Sequence, residues 1–474
     1  MIVPFVGPTY QMSAVSFDNQ RSVNLFLITS ETGTSKSNSA LIKTAGMKLF
    51  SEVGGGPIRN AFSSTSGRGF VASGNKLYEI YSDGSFDDRG ALNSNSSRVS
   101  FAENNAGEII IVDGLNGYIF TLSTDTLSQI TDSDFPNGTK KVDYLDGYFI
   151  CCKPETQNFY ISNINDGMTW DTLDYAAVES SPDNLVSLVV DKGNVWFFGN
   201  RVTEVYYNAG TGFPFKRIQG AIVPTGCSAT HTPMRFDNSI VWLGEDEYGR
   251  GVVWRAHTDG YAVTRISTQA IEKKIAESAN FSNSYAWVYH EQGHIFYCLQ
   301  VSGLDTTLVY DAATQQWHER TFRNSLLGRD EQHRGSCLFN FAKKNLIGDR
   351  QAGKIYELSL DFFDDAGEEM IWSRTTPHYD QEKKLIPHSS FELDCEVGRG
   401  LSSGQGSDPK IMMKYSDDGG RTWSNELWRS LGKVGEYKTR VVWRKLGSSK
   451  DRVYQVSGSD PVFIQINEAY LNAA

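Results

Sequence analysis

Five residues, HEQGH at 290–294, match H-E-x-x-H, the pattern of zinc proteases. That chemistry needs a helix. There His290 and His294 would fall on one face and share a metal, while Glu291 acted as base. The flanks argue against a helix. Trp287, Val288 and Tyr289 precede the motif, Ile295, Phe296, Tyr297 and Cys298 follow it, and Gly293 interrupts it. Aromatic and β-branched runs on either side of a glycine read as strand, three-residue turn, strand. In that hairpin His290 and His294 flank the loop, where paired side chains sit ~5 Å apart. They would hold at most a stray metal, because no third ligand lies nearby.

A second stretch, YSDDGGRTWS at 415–424, places Ser416, Asp418, Gly420, Thr422 and Trp423 as S-x-D-x-G-x-T-W, the Asp-box of sialidase-type propellers. NINDGMTW at 163–170 echoes it, with Asn163, Asn165, Gly167, Thr169 and Trp170 in the same phase. The physics of such a box is structural. A carboxylate or amide caps the N–H groups of a turn, and glycine takes the left-handed position. No group of arginines and no Tyr–Glu pair is singled out for sialidase chemistry. DSDFPNG at 132–138 has the first residues of a calcium loop, Asp132 and Asp134, but Pro136 occupies the next ligand position. Asp364–Asp365 reads as a solvated turn. P-loop, nucleophile-elbow and dinucleotide patterns are absent. The sequence therefore predicts no enzyme: catalytic residues none, cofactor-binding residues none, metal ligands none.

The elements around these motifs repeat. From about residue 60 to about 360, a short apolar run, a Gly/Asp/Asn turn and a second run with an aromatic recur. Phe70, Ile110, Phe149, Trp196, Val241, Phe296 and Leu346 mark the phase, at spacings of 40, 39, 47, 45, 55 and 50 residues. Periods of ~40–50 residues built from hairpins signal propeller blades. Each is too small to bury its own face and must stack on neighbours. Seven units are counted, and six with an insertion is also possible. Two separate sandwiches are the other architecture. One helix is expected over 266–280, with Ile271 and Ile275 inward and Lys, Glu and Lys outward. The acidic stretch 361–369 reads as a boundary. Longer alternating strands follow at 389–398, 410–419, 439–447, 452–460 and 462–471, with a flexible loop at 398–409.

The fold class is thus all-β: a β-propeller-like repeat body of six or seven blades, residues 51–365, followed by a C-terminal antiparallel β-sandwich, residues 366–474. Residues 1–50 fit neither unit. They are an arm reaching a neighbouring subunit, or a strand closing the propeller.

Net charge is −11, which argues against tightly held duplex DNA but allows DNA to slide past an acidic wall. Arg440, Arg444, Lys445, Lys450 and Arg452 stand close together in the sequence. They form either the polar face of a strand pair or a basic patch that docks an acidic neighbour. The start, MIVPFVGPTYQM, has no basic region before an apolar run, so no signal peptide is expected. No apolar run is long enough for a membrane span. The six cysteines are scattered and read as small buried hydrophobes of a chain made in a reducing cytoplasm.

The run KTRVVWRKLGSSKDRVYQVSGSDPV at 438–462, with SVNLF at 22–26 and QAIEKKI at 269–275, resembles the packaged-DNA stabilisation proteins, or tail accessory factors, of short-tailed bacteriophages. The resemblance implies a structural protein of the virion tail, assembled in the bacterial host cytoplasm. It implies a homo-oligomeric ring, typically a hexamer, below the portal and its adaptor. The ring extends the DNA channel, helps to retain packaged DNA, and carries tail spikes or fibres and the tail needle or plug. DNA passes without sequence-specific binding, and no cofactor or membrane insertion is involved. The alternative is a glycan-binding or glycan-cleaving propeller of the sialidase type.

Overall fold

The computed structural model describes residues 2–472. Its body is a seven-bladed β-propeller. Six blades are free-standing four-stranded sheets, and the remaining one is built from Tyr285–Glu291, His294–Gln300, Thr307–Asp311 and Gln316–Asn324. The seven phase markers all lie in the second strand of their blades, and all are buried. Second strands are apolar on both faces because blades stack on both sides. In Glu108–Val112, Ile109 and Ile111 pack with Phe70 and Leu77 of the blade before, while Ile110 and Val112 pack with Phe149 and Cys151 of the blade after. One period-2 strand thus feeds two cores.

The first strands of successive blades touch all the way round, from Ile58–Ser63 through to Gly335–Phe341 and back, so they line the axis. The ring closes with a strand from the other end of the chain. Gly46–Glu52 pairs with Lys354–Ser359 and supplies the outermost strand of the last blade. This pairing covers an edge that would otherwise be open.

The expected helix forms over Gln269–Ile275, shorter than predicted, with Thr268 as N-cap. Ile271 and Ile275 enter the core between the fifth and sixth blades. The outward placement of its charges is corrected at Lys274, which is buried.

The C-terminal sandwich stacks two sheets. One runs Leu25–Thr29, Ser39–Lys43, Gln465–Asn472, Ser390–Cys395, Val441–Arg444, with Ile2–Val3 also on Gln465–Asn472. The other runs Asn19–Val23, Trp372–Thr375, Asp451–Gly458, Lys410–Ser416, Leu427–Ser430. Their shared core includes Phe5, Leu25, Leu41, Phe391, Trp443, Tyr454 and Ile466. The second sheet is continuous with the sixth blade through a parallel bridge between Val23 and Glu319. Residues 2–45 are therefore woven into the sandwich.

Candidate functional site

HEQGH lies on no helix. Tyr285–Glu291 and His294–Gln300 form a hairpin joined by Gln292 (φ 45°) and Gly293 (φ 84°). Two central residues at positive φ make the turn two residues long, where three were expected. Glu291 therefore faces His294, and His290 faces Ile295. Adjacent pairs alternate sides, so the two histidines point to opposite faces of the sheet and are not paired. His290 is exposed, and His294 Nδ1 bonds Asp311 Oδ2 at 2.8 Å. Glu291 ties this blade to the next, accepting from Asn345 Nδ2 at 3.0 Å and Leu360 N at 3.3 Å. Among the described residues no group of three His, Cys, Asp or Glu is placed to hold a metal.

The Asp-box sits at a turn of the sandwich, after Lys410–Ser416, and not on the propeller. Asp418 accepts from Arg421 N (2.9 Å), Thr422 N (2.9 Å) and Thr422 Oγ1 (2.7 Å). The Ser416 hydroxyl and these donors hold its carboxyl well below the usual range. The turn is also a socket: Asn19 Nδ2 donates to Gly419 O at 2.9 Å. In the echo at 163–170 the capping residue is Asp166, not Asn165. Asp166 accepts from Met168 N at 2.9 Å and from the Thr169 hydroxyl. Asp132 caps Asp134 N and Trp170 N, each at 2.9 Å, and so serves two turns.

The basic run at 440–452 divides. Arg444, Lys445 and Lys450 are exposed, and Arg440 pairs with Glu392 at 2.7 Å. Arg452 is not on the surface: it is buried against the Tyr415 ring and pairs with Asp417 at 2.5 Å. Five cysteines are buried and Cys395 partly so, all free. Burial pushes the Cys227 thiol up to about 12.

The most heavily built place in the molecule is the seam between propeller and sandwich. Fully buried Glu319, on the outer strand of the sixth blade, accepts from Arg21 and Lys274, each 2.7 Å from Oε2. Burial alone would raise Glu319, but Arg21 and then Lys274 outweigh it and hold it at about 2. Asn24, at φ 52°, donates to Thr321 O, Thr321 Oγ1 and Ile371 O, and accepts from Thr321 N. Arg374, fully buried, donates to Phe5 O (2.6 Å), Pro8 O (2.7 Å), Ser22 Oγ (3.1 Å) and Gln20 Oε1 (2.7 Å). These bonds gather the N-terminal strap.

On the linker side, Asp365 is not the solvated turn expected: it is buried, and among the described residues neither carboxylate oxygen has a hydrogen-bond partner. Burial pushes it up to about 7, against the opposing pull of Arg320 and Lys43. Lys43 donates to Phe363 O at 2.7 Å, and its own burial lowers it to about 8.

Two family models match the chain in tandem: bacteriophage P22 Gp10, beta-propeller, over residues 1–362, and bacteriophage P22 Gp10, beta-sandwich, over residues 371–474. This chain belongs to the bacteriophage P22 Gp10 family. It is a phage structural protein with a propeller followed by a sandwich, as the resemblance at 22–26, 269–275 and 438–462 implies.

No curated protein sequence matches this Gp10-family chain. Solved structures similar to it are distant. Virginiamycin B lyase from Staphylococcus aureus is 11% identical, with 64% of this chain and 95% of that one covered and a TM-score of 0.44. PorZ, a surface component of the type-IX secretion system of Porphyromonas gingivalis, is 10% identical, covering 82% and 46%, with a TM-score of 0.40. The computationally designed Ika8 protein is 12% identical, covering 66% and 99%, with a TM-score of 0.38. Among the described residues of the Gp10-family chain, no helix is long and apolar enough to cross a membrane.

Proposed function

We infer that this Gp10-family chain is a non-enzymatic, ring-forming component of a short-tailed phage tail. In this reading it assembles in the host cytoplasm as a hexameric ring below the portal and its adaptor. It extends the DNA channel, helps to retain packaged DNA, and carries tail spikes or fibres and the needle or plug. Residues 51–365, completed by the strand Gly46–Glu52, act as the propeller unit, and 366–474, completed by the strands between residues 2 and 43, act as the sandwich unit. No catalytic residue, metal or cofactor is part of the account.

The observation that carries the reading is the welded seam. One continuous sheet runs from the sixth blade through Asn19–Val23 into the sandwich, and buried ion pairs brace the crossing. A chain built this way offers several rigid faces in fixed relative orientation, which a tail part joining several neighbours requires. The net charge of −11 suits a wall along which DNA slides without sticking. The glycan-cleaving alternative drew on the Asp-boxes, and their bonds are turn caps. The test is electron microscopy of the protein with the portal–adaptor complex of the same phage.

A further inference from the structure

Four blades send cationic or polar residues to one mouth of the propeller axis. Ser97 and Arg98 precede the first strand of the second blade, Lys140 and Lys141 that of the third, Thr230 and His231 that of the fifth, and Asn283 and Ser284 that of the sixth. Arg98, Lys140, His231 and Tyr285 line a single cavity there of about 400 Å³, with Ser97 and Ser284 on its wall.

The charges in this mouth are unbalanced. The guanidinium of Arg98 stacks on the Tyr285 ring at 3.9 Å and donates to Ser336 O at 2.6 Å, but among the described residues it meets no carboxylate. Among the described residues, Lys140, Lys141 and the His231 ring have no ion pair or side-chain hydrogen bond. The one acid near Lys141, Asp143, is already taken by Arg235 at 2.7 Å and Val190 N at 2.8 Å. The imidazole of His231 is held well below its ordinary range by burial, then by Arg98, Lys141 and Lys140. In a chain with a net charge of −11, like charges have been gathered here without a counter-charge.

The geometry points to an anion-binding site at the axial mouth, taking a small oxyanion of the phosphate class between Arg98 and Lys140. Guanidinium and ammonium donors bind such a group by charge-assisted hydrogen bonds, and the serine hydroxyls add neutral ones. The cavity is large enough for phosphate or pyrophosphate and too small for a nucleic-acid duplex.

The test is calorimetric and thermal titration of the full chain with inorganic phosphate and pyrophosphate, against chloride at matched ionic strength. The expected result is saturable binding of one anion per chain, with a rise in Tm that follows ligand concentration. Lys140, whose side chain is exposed and has no ion pair among the described residues, should tolerate Lys140→Gln, and that variant should fold normally and bind at least about tenfold more weakly. Arg98→Gln should abolish binding. A response to phosphate no larger than that to chloride, or binding unchanged in a folded Lys140→Gln variant, would overturn the assignment.

Discussion

Lys274 Nζ and Arg21 Nη2 each lie 2.7 Å from the same oxygen of Glu319, Oε2. Lys274 belongs to QAIEKKI, and Arg21 immediately precedes SVNLF. Stretches about 250 residues apart thus meet at one buried carboxylate, which joins helix, blade and N-terminal strap. Removing one partner of a buried ion pair costs about 3–5 kcal/mol, because the other charge is left uncompensated. Lys274→Met keeps Arg21 in place and should cost about 3 kcal/mol. Arg21→Met should cost more, since Arg21 is the larger compensating charge and donates three bonds to the Glu319 carboxylate where Lys274 donates one. Urea denaturation of both variants checks the order.

Acid should release the same seam. Glu319 ordinarily titrates near 4.5 and is held at about 2 in the fold. A depressed carboxyl contributes stability that is fully present above its unfolded value and lost as pH falls through its folded value. The contribution should therefore fade between pH 4.5 and 2. Glu319→Gln should remove this part of the pH dependence, as read from denaturation midpoints across that range.

Asp365 should act with the opposite sign. Its folded value of about 7 lies above its ordinary 3.8, so the fold favours the protonated form. Stability from this group is fully present below pH 3.8, declines as pH rises, and levels off above about 7. Asp365→Asn should match the parent near pH 4 and exceed it at pH 7. An Asn variant less stable at pH 7 would show that the charged form is used.

Arg374 should hold the N-terminal strap. It donates to Phe5 O, a buried acceptor that is costly to leave unmade, and to the part-buried Pro8 O. Arg374→Met should speed amide exchange over residues 2–23 far more than in the blades. Arg374→Lys should not restore protection, because an ammonium cannot span four acceptors set out for a planar guanidinium.

At HEQGH, chelators should leave Tm unchanged. Glu291→Ala should lower stability by about 1–2 kcal/mol, through the lost bonds to Asn345 and Leu360. A fall in Tm on chelation that zinc reverses would contradict the hairpin account.

The propeller was legible because blade stacking leaves a local mark. Phe70, Ile110 and their counterparts are buried on both sides, so their runs recur as uninterrupted apolar segments. The sandwich strands near 390, 410 and 452 were legible from alternation. The strap was not, because strands of two to five residues such as Ile2–Val3 and Asn19–Val23 take their meaning from partners near residues 370 and 470. The burial of Lys274, Arg374, Arg452 and Asp365 was hidden for a related reason. A charged residue reads as surface unless its partner is known, and each partner here lies far away, on another element or nowhere. The two-residue turn at Gln292–Gly293 was one residue shorter than read, and that single step separates His290 from His294.

Electron microscopy of the purified chain mixed with the portal–adaptor complex of its phage tests the central claim most directly. The account predicts a six-fold ring capping the adaptor, with the sandwich and propeller in fixed relative orientation in every subunit. An intact adaptor that binds no ring, with the chain remaining as free monomers, would contradict it.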